Sequence, residues 1–193
     1  MPPCLIWVPM PEERTHFKQL GGKLQGHPDR LKTPGIEAGT GSLGQGLSIA
    51  CGIAAALRLD NNDAHVYCML GDGEIGEGSV WEAIMSAPVM RLDNLTAIVD
   101  LNGIQANGRL CNMVDSSPYR EKFEAFGWYT IEIDGHDMQQ IVAAFRLANT
   151  IKGKPAVILA KTIKGKGFAF AEDNPAYHHA ALTPEEFEEA MRI

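Results

Sequence analysis

The sequence lacks any apolar run long enough to span a bilayer within its 193 residues. Its apolar N-terminus, Met1 to Met10, is short, is broken by prolines and has no basic lead, so it is a poor signal peptide. Positive charge is not in excess either, because the formal net charge is -7. That balance gives no reason to expect nucleic acid or an anionic membrane as a partner. These features predict a cytoplasmic protein.

Cysteine spacing of the kind that holds zinc is also lacking. The four cysteines are Cys4, Cys51, Cys68 and Cys111, and none of them form a C-x-x-C pair. Three of them lie in or beside apolar runs. The pattern therefore predicts buried free thiols in a reducing compartment, not a disulfide framework or a metal site.

Short apolar segments alternate with segments of helical periodicity, in a composition that is 45% hydrophobic and 21% charged. Four segments are predicted as buried strands: His65 to Leu70, Leu95 to Asp100, Trp128 to Ile133 and Ala156 to Lys161. The predicted helices are Glu12 to Leu24, Leu43 to Leu59 after a Ser42 cap, Glu77 to Met90 with Pro88 kinking or ending it, Ser117 to Phe126, Met138 to Asn149 after an Asp137 cap, and a C-terminal helix capped by Thr183.

This alternation predicts an α/β fold in which a parallel sheet with right-handed crossovers is covered by helices on both faces. The sequence shows no internal repeat, low-complexity segment or clear linker. Residues 1–193 are therefore predicted to form a single domain, with residues 1–10 irregular.

The pattern G-x-G-x-x-G occurs at residues 39–44 and 71–76, and by itself it is a weak indication of a dinucleotide site. The first copy lacks the preceding strand that a Rossmann loop requires. The second follows a predicted strand, but Asp72 stands between its glycines, where a carboxylate would repel a bare diphosphate. A divalent cation reverses this, because a carboxylate and diphosphate oxygens can share it. For Asp72 taken alone, a solvated turn is the alternative interpretation.

Asn102 strengthens the metal interpretation because it follows the next predicted strand along the chain. In a parallel sheet the carboxyl ends of neighbouring strands meet at one edge, where ligands bind. A neutral amide oxygen suits Mg²⁺ or Ca²⁺, and a nearby backbone carbonyl such as that of Ile104 could complete the protein ligands. The sequence therefore predicts a metal and diphosphate site at this edge.

The loop Gly71-Asp72-Gly73 followed by Asn102 resembles the metal and diphosphate signature of thiamine diphosphate enzymes. The stretches LQGHPDRLKTPGIEAGTGSLGQGLSIACG, GDGEIGEGSVWEA and LDNLTAIVDLNGIQ are similar to transketolases, especially to the N-terminal subunit of split transketolases. The similarity extends from about Phe17 to the C-terminus. It implies the thiamine diphosphate-binding fold, in its diphosphate-binding domain. The family's usual upstream histidine-bearing segments are not in the sequence, so the domain is expected to be N-terminally truncated.

The resemblance also implies roles for individual residues. Asp72 and Asn102 would bind the metal, Mg²⁺ or Ca²⁺, through their side chains, and Ile104 would bind it through its carbonyl. Gly71 and Gly73 would let the backbone approach the diphosphate.

Further implied roles lie outside this loop. Gly41 and Leu43 would lie against the aminopyrimidine ring, and Glu77 would act at a contact between subunits near the cofactors. A first-turn carboxylate that favours its helix dipole is the alternative for Glu77. His27 would contact hydroxyls of the sugar donor. Tyr177-His178-His179 takes the place of a Trp-His-Gly sequence, so His178 would face the diphosphate and the substrate carbonyl.

The implied activity is transfer of a two-carbon ketol unit from a ketose, such as a sugar phosphate, to an aldose. A separate C-terminal subunit would supply the glutamate that activates the cofactor, in a homo- or hetero-oligomer. Two alternatives stay open: a related thiamine enzyme of the deoxyxylulose phosphate synthase or 2-oxo acid dehydrogenase type, and an inactive remnant that only binds a partner.

Overall fold

The chain divides into two compact units, Met1–Leu43 and Gly44–Ile193, and each is described by itself. A computed structural model describes residues 16–192. Within them no helix is long and apolar enough to cross a membrane. The second unit holds the elements of the α/β fold, and the first consists of turns and loops.

The second unit is built on a four-stranded parallel sheet in the order β1-β2-β6-β5. A short antiparallel hairpin, β3 with β4, follows β2 directly. The strands are β1 Val66–Gly71, β2 Leu95–Leu101, β3 Ile104–Gln105, β4 Gly108–Arg109, β5 Tyr129–Asp134 and β6 Ala156–Lys161. All four predicted strands are therefore confirmed, with ends shifted by no more than one residue.

Five α-helices flank or follow the sheet. They are α1 Gly46–Leu59, α2 Gly78–Val89, α3 Tyr119–Phe126, α4 Met138–Ala148 and α5 Pro184–Ala190. Helices α1, α2 and α3 bury the larger apolar core on one face of the sheet, and α4 packs on the opposite face over β5 and β6. This confirms the predicted parallel sheet flanked by helices.

One part of the predicted packing is wrong. On the α4 face, the β1 side chains Tyr67 and Met69 are 45% and 70% exposed, so helices do not cover both faces fully. Tyr67 reaches α4 only at its edge, where its hydroxyl donates a hydrogen bond to Asn149 at 2.8 Å. The described helices thus leave the outer strand of this face open.

The helix predicted from Glu12 to Leu24 is wrong where the structure describes it. Residues 16–24 form turns, and Lys18 and Gly21 have left-handed φ values of 60° and 82°, which an α-helix does not contain. Residues 12–15 lie outside the described residues. In this unit Thr33 is buried, and its hydroxyl donates a 2.5 Å hydrogen bond to the carbonyl of Lys23.

The predicted start of α1 is also wrong. The helix begins at Gly46, its N-cap residue is Gln45, and no side chain caps it. Gly44 has a φ of 83°, so the backbone there is left-handed and the helix can begin only after it. Ser42 therefore does not cap this helix.

The predicted caps of the later helices are confirmed. Asp137 accepts hydrogen bonds from the backbone N–H groups of Gln139 and Gln140, and Thr183 forms a capping box with Glu186. Pro88 lies in the last turn of α2, which ends one residue later. These helix ends follow from local chemistry, which is why the sequence located them.

The expectation for the cysteines is confirmed in part. Cys51 and Cys68 are buried free thiols, and burial raises the pKa of Cys68 to about 12. Cys111 is exposed, which contradicts the expected burial, because it lies in a short 3-10 turn after the β3–β4 hairpin. Cys4 lies outside the described residues.

Candidate functional site

The structure brings Asp72 and Asn102 to neighbouring strand ends, as the sequence predicts. Gly71 at the end of β1 is paired with Asp100 on β2, and the Asp72 N–H donates to the Asp100 carbonyl at 3.2 Å. Asn102 directly follows β2. Both side chains therefore lie at the carboxyl edge of the sheet, the usual place for ligands in an α/β fold.

Asp72 is a buried carboxylate, 4% exposed, that is held by backbone donors. Its Oδ1 accepts from the N–H of Gly73 at 2.8 Å, and its Oδ2 accepts from the N–H of Gly103 at 2.5 Å. The second contact ties the turn after β1 to the turn after β2. Each carboxylate oxygen has a further lone pair for a ligand.

Asn102 is oriented by its two neighbours. Its amide oxygen accepts from the N–H of Ile104 at 2.9 Å, and its amide nitrogen donates to Asp100 Oδ2 at 3.2 Å. Asp100 in turn accepts a short hydrogen bond from the Thr162 hydroxyl. The amide oxygen is thus fixed beside the start of the hairpin, where Ile104 lies.

A divalent cation fits the chemistry of this edge. Burial raises the pKa of Asp72, and the neighbouring Asp100 charge adds to this, while N–H donors from Gly103, Gly73 and Asn102 oppose it. A bound cation would counter both unfavourable effects. Within residues 16–192 no three His, Cys, Asp or Glu side chains cluster as a metal site. The predicted set is of another kind, since it consists of one carboxylate, one amide oxygen and one backbone carbonyl.

The two glycines of the GDG loop, Gly71-Asp72-Gly73, differ in their surroundings. A Cβ added at Gly71 would meet no atom within 4 Å, so space lies open above this backbone. At Gly73 a Cβ would approach the Gln105 side chain at 2.9 Å, too close for any side chain. Gly73 is therefore required by packing against the hairpin, and Gly71 leaves room for a ligand.

Glu74 is a contact residue that the sequence did not single out. Its Oε1 accepts from the N–H of Gly44 at 2.9 Å, and its Oε2 accepts from the N–H of Gly71 at 3.2 Å. The Gly44 carbonyl also accepts from the Ser79 hydroxyl at 2.9 Å. Glu74 thus joins the GDG loop to the turn before α1. Only the three-dimensional contact reveals this, because the two turns are far apart in sequence.

Glu77 lies at the N-cap position of α2, is exposed and makes no side-chain capping bond. Its side-chain stem packs beside Gly44, where an added Cβ would come within 2.8 Å. The carboxylate is therefore free at the surface, as a role at a subunit contact requires.

Three predicted site residues belong to the first unit. Gly41 has a φ of 126°, and a Cβ there would lie 2.5 Å from the His27 ring. The structure therefore brings Gly41 and His27 together, and only glycine fits at residue 41. Leu43 is 63% exposed, so its side chain is available for contact.

His178 ends the 3-10 turn Pro175–His178. Its Nδ1 is buried and has no hydrogen-bond partner among the described residues. Burial lowers its pKa, and Lys164 and His179 lower it further. His179, which replaces the family's glycine, has a φ of −132°, a backbone conformation open to any residue. The imidazole is therefore neutral near pH 7 with one nitrogen unused.

Tyr119 is a second residue that the sequence did not single out. Its hydroxyl is buried without a partner among residues 16–192. Burial raises its pKa to about 12, and the charges of Asp72 and Asp115 contribute. A buried phenol near Asp72 gives the edge one more unused donor, although no sequence motif indicated it.

Comparison with known proteins agrees with this geometry. Residues 8–193 match the family described as "Transketolase, thiamine diphosphate binding domain". A subunit of the apulose-4-phosphate transketolase from Phocaeicola vulgatus is 40% identical over 174 residues, which is 90% of this chain and 62% of that protein. The 6-deoxy-6-sulfo-D-fructose transketolase subunit SqwG of Clostridium sp. is 43% identical over 171 residues, which is 89% of this chain and 62% of that protein.

Among solved structures, a transketolase from Campylobacter jejuni superposes with a TM-score of 0.87 at 35% identity, over 94% of this chain and 29% of that one. The chain thus spans about 62% of the length of the two subunits above. With its GDG loop, its Asn102 and a family match over nearly all of its length, the chain belongs to the transketolase family, as a thiamine diphosphate-binding domain.

Proposed function

We propose that this chain is the N-terminal subunit of a split transketolase, which needs a separate C-terminal subunit for activity. The observation that carries the proposal is the meeting of Asp72 and Asn102 at adjacent strand ends, joined by the contact from Gly103 to Asp72. Two relatives named as transketolase subunits, of which the chain spans about 62%, support the split arrangement. Such relatives favour transketolase over the other thiamine enzymes.

In this proposal Asp72, Asn102 and the carbonyl of Ile104 hold Mg²⁺ or Ca²⁺, which neutralises a diphosphate beside Gly71 and Gly73. Thiamine diphosphate, when bound, supplies the electron sink that lets a carbon–carbon bond next to a carbonyl break and re-form. The open space above Gly71 supports a close approach of the diphosphate.

Other residues would orient the cofactor and the substrate. Gly41 and Leu43 would contact the aminopyrimidine ring, and Glu77 would contact the partner subunit near the cofactors. His27 would bind hydroxyls of the sugar donor. His178, neutral and with a free ring nitrogen, would donate a hydrogen bond to the substrate carbonyl oxygen and transfer protons there.

The reaction would move a two-carbon ketol unit from a ketose, such as a sugar phosphate, to an aldose. The two related subunits are named for apulose 4-phosphate and for 6-deoxy-6-sulfo-D-fructose, so substrates of this chemical class are the first to test. We place the protein in the carbohydrate metabolism of the cytoplasm, in reactions of the pentose phosphate type. There it would act as part of an oligomer with the C-terminal subunit.

Calorimetry with thiamine diphosphate and Mg²⁺, with and without a C-terminal transketolase subunit, tests the proposal. We expect Mg²⁺-dependent binding and ketol transfer in the mixture. Asp72→Asn should abolish Mg²⁺-dependent binding, because an amide cannot replace the buried anionic ligand. Asp134→Asn is the matched control, since Asp134 is an exposed acid at the end of β5. Absence of cofactor binding in every mixture, or equal binding by the Asp72 and Asp134 variants, would contradict the proposal.

A further inference from the structure

The segment that leads to His178 is a long irregular connection, residues 162–179, here called the His178 loop. It leaves β6 beside β2, where the Thr162 N–H donates to the Leu101 carbonyl at 3.2 Å. At its far end the Tyr177 hydroxyl donates a short hydrogen bond to Glu186, a residue of α5. Between these two anchors the loop needs other contacts to keep a defined position.

Arg109 on β4 provides such a contact through Asp173. Its Nη1 donates to Asp173 Oδ1 at 3.0 Å, and its Nη2 donates to Oδ2 at 2.8 Å and to the Asp173 carbonyl at 3.2 Å. This two-pronged geometry matches the flat guanidinium to the carboxylate, and a lysine cannot reproduce it. A third contact to the backbone fixes the chain itself as well as its side chain.

The backbone at Asp173 is held in an unusual conformation. Its φ is 54°, in the left-handed region that non-glycine residues seldom adopt, and its N–H donates to the Lys164 carbonyl at 2.8 Å. Arg109 therefore grips the loop at the residue where the chain turns back on itself.

The other end of this connection lies at the metal-binding edge. Arg109 pairs with Ile104 in the hairpin, and the Leu110 N–H donates to the Gly103 carbonyl at 2.9 Å. Gly103 in turn donates to Asp72. A continuous series of contacts thus runs from Asp72 through the hairpin to Asp173, and the turn Pro175–His178 lies beside both hairpin strands.

The loop also contains an ion pair that does not reach the hairpin. Lys166 Nζ lies 3.2 Å from Glu172 Oε1, and both residues are within the loop. Its partners have side-chain exposures of 50% and 34%, against 45% and 54% for Arg109 and Asp173. The two pairs are therefore similar in exposure and differ in what they connect.

We propose that Arg109 is a positioning residue, which holds the His178 loop against the β3–β4 hairpin so that His178 keeps a fixed place relative to Asp72 and Asn102. The catalytic part of this inference rests on the function proposed above for His178. The mechanical part, that Arg109 restrains the loop, stands on the contacts alone.

Hydrogen exchange followed by mass spectrometry tests the mechanical part on the chain itself. Arg109→Ala should speed exchange in residues 168–179 by roughly twofold to fivefold, the size expected for a solvent-exposed pair. Arg109→Lys should fall between the alanine variant and the original chain. Lys166→Ala should leave the protection of residues 175–179 unchanged. Equal effects of the Arg109 and Lys166 variants on these residues would overturn the proposal.

Steady-state kinetics on the mixture with a C-terminal subunit tests the catalytic part. Arg109→Ala should lower kcat by about threefold or more with little change in KM, and Asp173→Asn should act in the same direction. Lys166→Ala should change neither. If exchange rises while kcat stays at the original value, Arg109 does not position His178 and the inference fails. If the unaltered mixture is inactive, the proposed function fails, whereas the exchange result still decides whether Arg109 restrains the loop.

Discussion

At the scale of single residues, Pro88 and Trp128 compensate for each other. Pro88 has no N–H, so the Ile84 carbonyl one turn earlier in α2 loses its usual helical donor. The Trp128 indole N–H donates to that carbonyl at 2.8 Å in the buried core. Trp128 also packs edge-on against Phe123 at 5.5 Å. A helix defect at one place in the sequence is thus repaired by a side chain from a distant part of the chain.

We therefore predict that Trp128→Phe lowers the free energy of unfolding by about 2–3 kcal/mol, because it leaves the Ile84 carbonyl buried without a donor and a gap in the core. Adding Pro88→Ala to that variant should restore about 1 kcal/mol, since residue 88 regains an N–H. Pro88→Ala alone should gain less, because Trp128 already satisfies the carbonyl. Urea unfolding of the four proteins measures the coupling. Strictly additive changes would contradict this pairing.

His65 gives a residue-scale prediction for pH. Its Nε2 lies 2.8 Å from the Thr96 hydroxyl, and its ring packs 4.8 Å from that of Tyr67. Burial lowers its pKa, Lys152 adds to the effect, and Asp93 opposes it. The folded protein thus binds a proton at His65 less readily than the unfolded chain, so His65 favours folding above its ordinary pKa of about 6.5 and loses this contribution as pH falls below it.

The test compares urea unfolding of the original chain and His65→Gln between pH 5.5 and pH 8. The difference in stability between them should be largest at pH 8 and should shrink toward pH 5.5. Parallel curves over this range would show that His65 does not titrate with folding.

At the scale of elements, two capped helices contribute differently to the fold. Asp137 caps α4, which buries Ala144 and Ala148 against the sheet. Thr183 caps α5 through a full capping box, but α5 has no buried residue. The caps have similar local chemistry, so a difference between them must come from packing.

Asp137→Ala should lower the global free energy of unfolding by about 1 kcal/mol, because α4 covers one face of the sheet. Thr183→Ala should reduce helicity in α5 without a comparable change in global unfolding, since fraying there exposes little apolar surface. Circular dichroism during urea unfolding, with exchange rates for residues 184–190, separates the two effects. Equal global losses would indicate that α5 is part of the core.

At the scale of the whole molecule, the sheet order distinguishes central from outer strands. Strands β2 and β6 are paired on both sides, and β6 is buried at five of its six positions. Among the described strands of the sheet, β1 and β5 are paired on one side only, and β1 carries the exposed Tyr67 and Met69. Asn102 thus follows a central strand, whereas the GDG loop follows an outer one.

We predict that β2 and β6 contain the slowest-exchanging amides of the chain and that β1 exchanges faster. Adding thiamine diphosphate, Mg²⁺ and a C-terminal subunit should slow exchange in β1 and the GDG loop more than in β6. Native-state hydrogen exchange measures both. Protection in β1 equal to that in β6 without ligands would contradict the predicted order.

Much of this fold was predictable because its causes are local. Apolar runs ending in glycine or acid indicated strands, and Asp137 and Thr183 located two helix starts through their own side chains. The association of Asp72 with Asn102 was also predictable, because parallel strands place their carboxyl ends at one edge. Local signals failed at Ser42 and at residues 16–24, where left-handed backbone at Gly44 and Gly21 overrides helical periodicity.

The sequence by itself thus determined the family, the α/β class and the chemistry of the GDG loop, since each depends on residues close together or on a parallel topology. Only the tertiary structure decided which distant groups support that loop and the elements around it. The contacts of Glu74 with Gly44, Trp128 with Ile84 and Arg109 with Asp173 join positions that no periodicity relates. Directed hydrogen bonds of this kind depend on where the folded chain brings its turns, and that is fixed by packing of the whole unit.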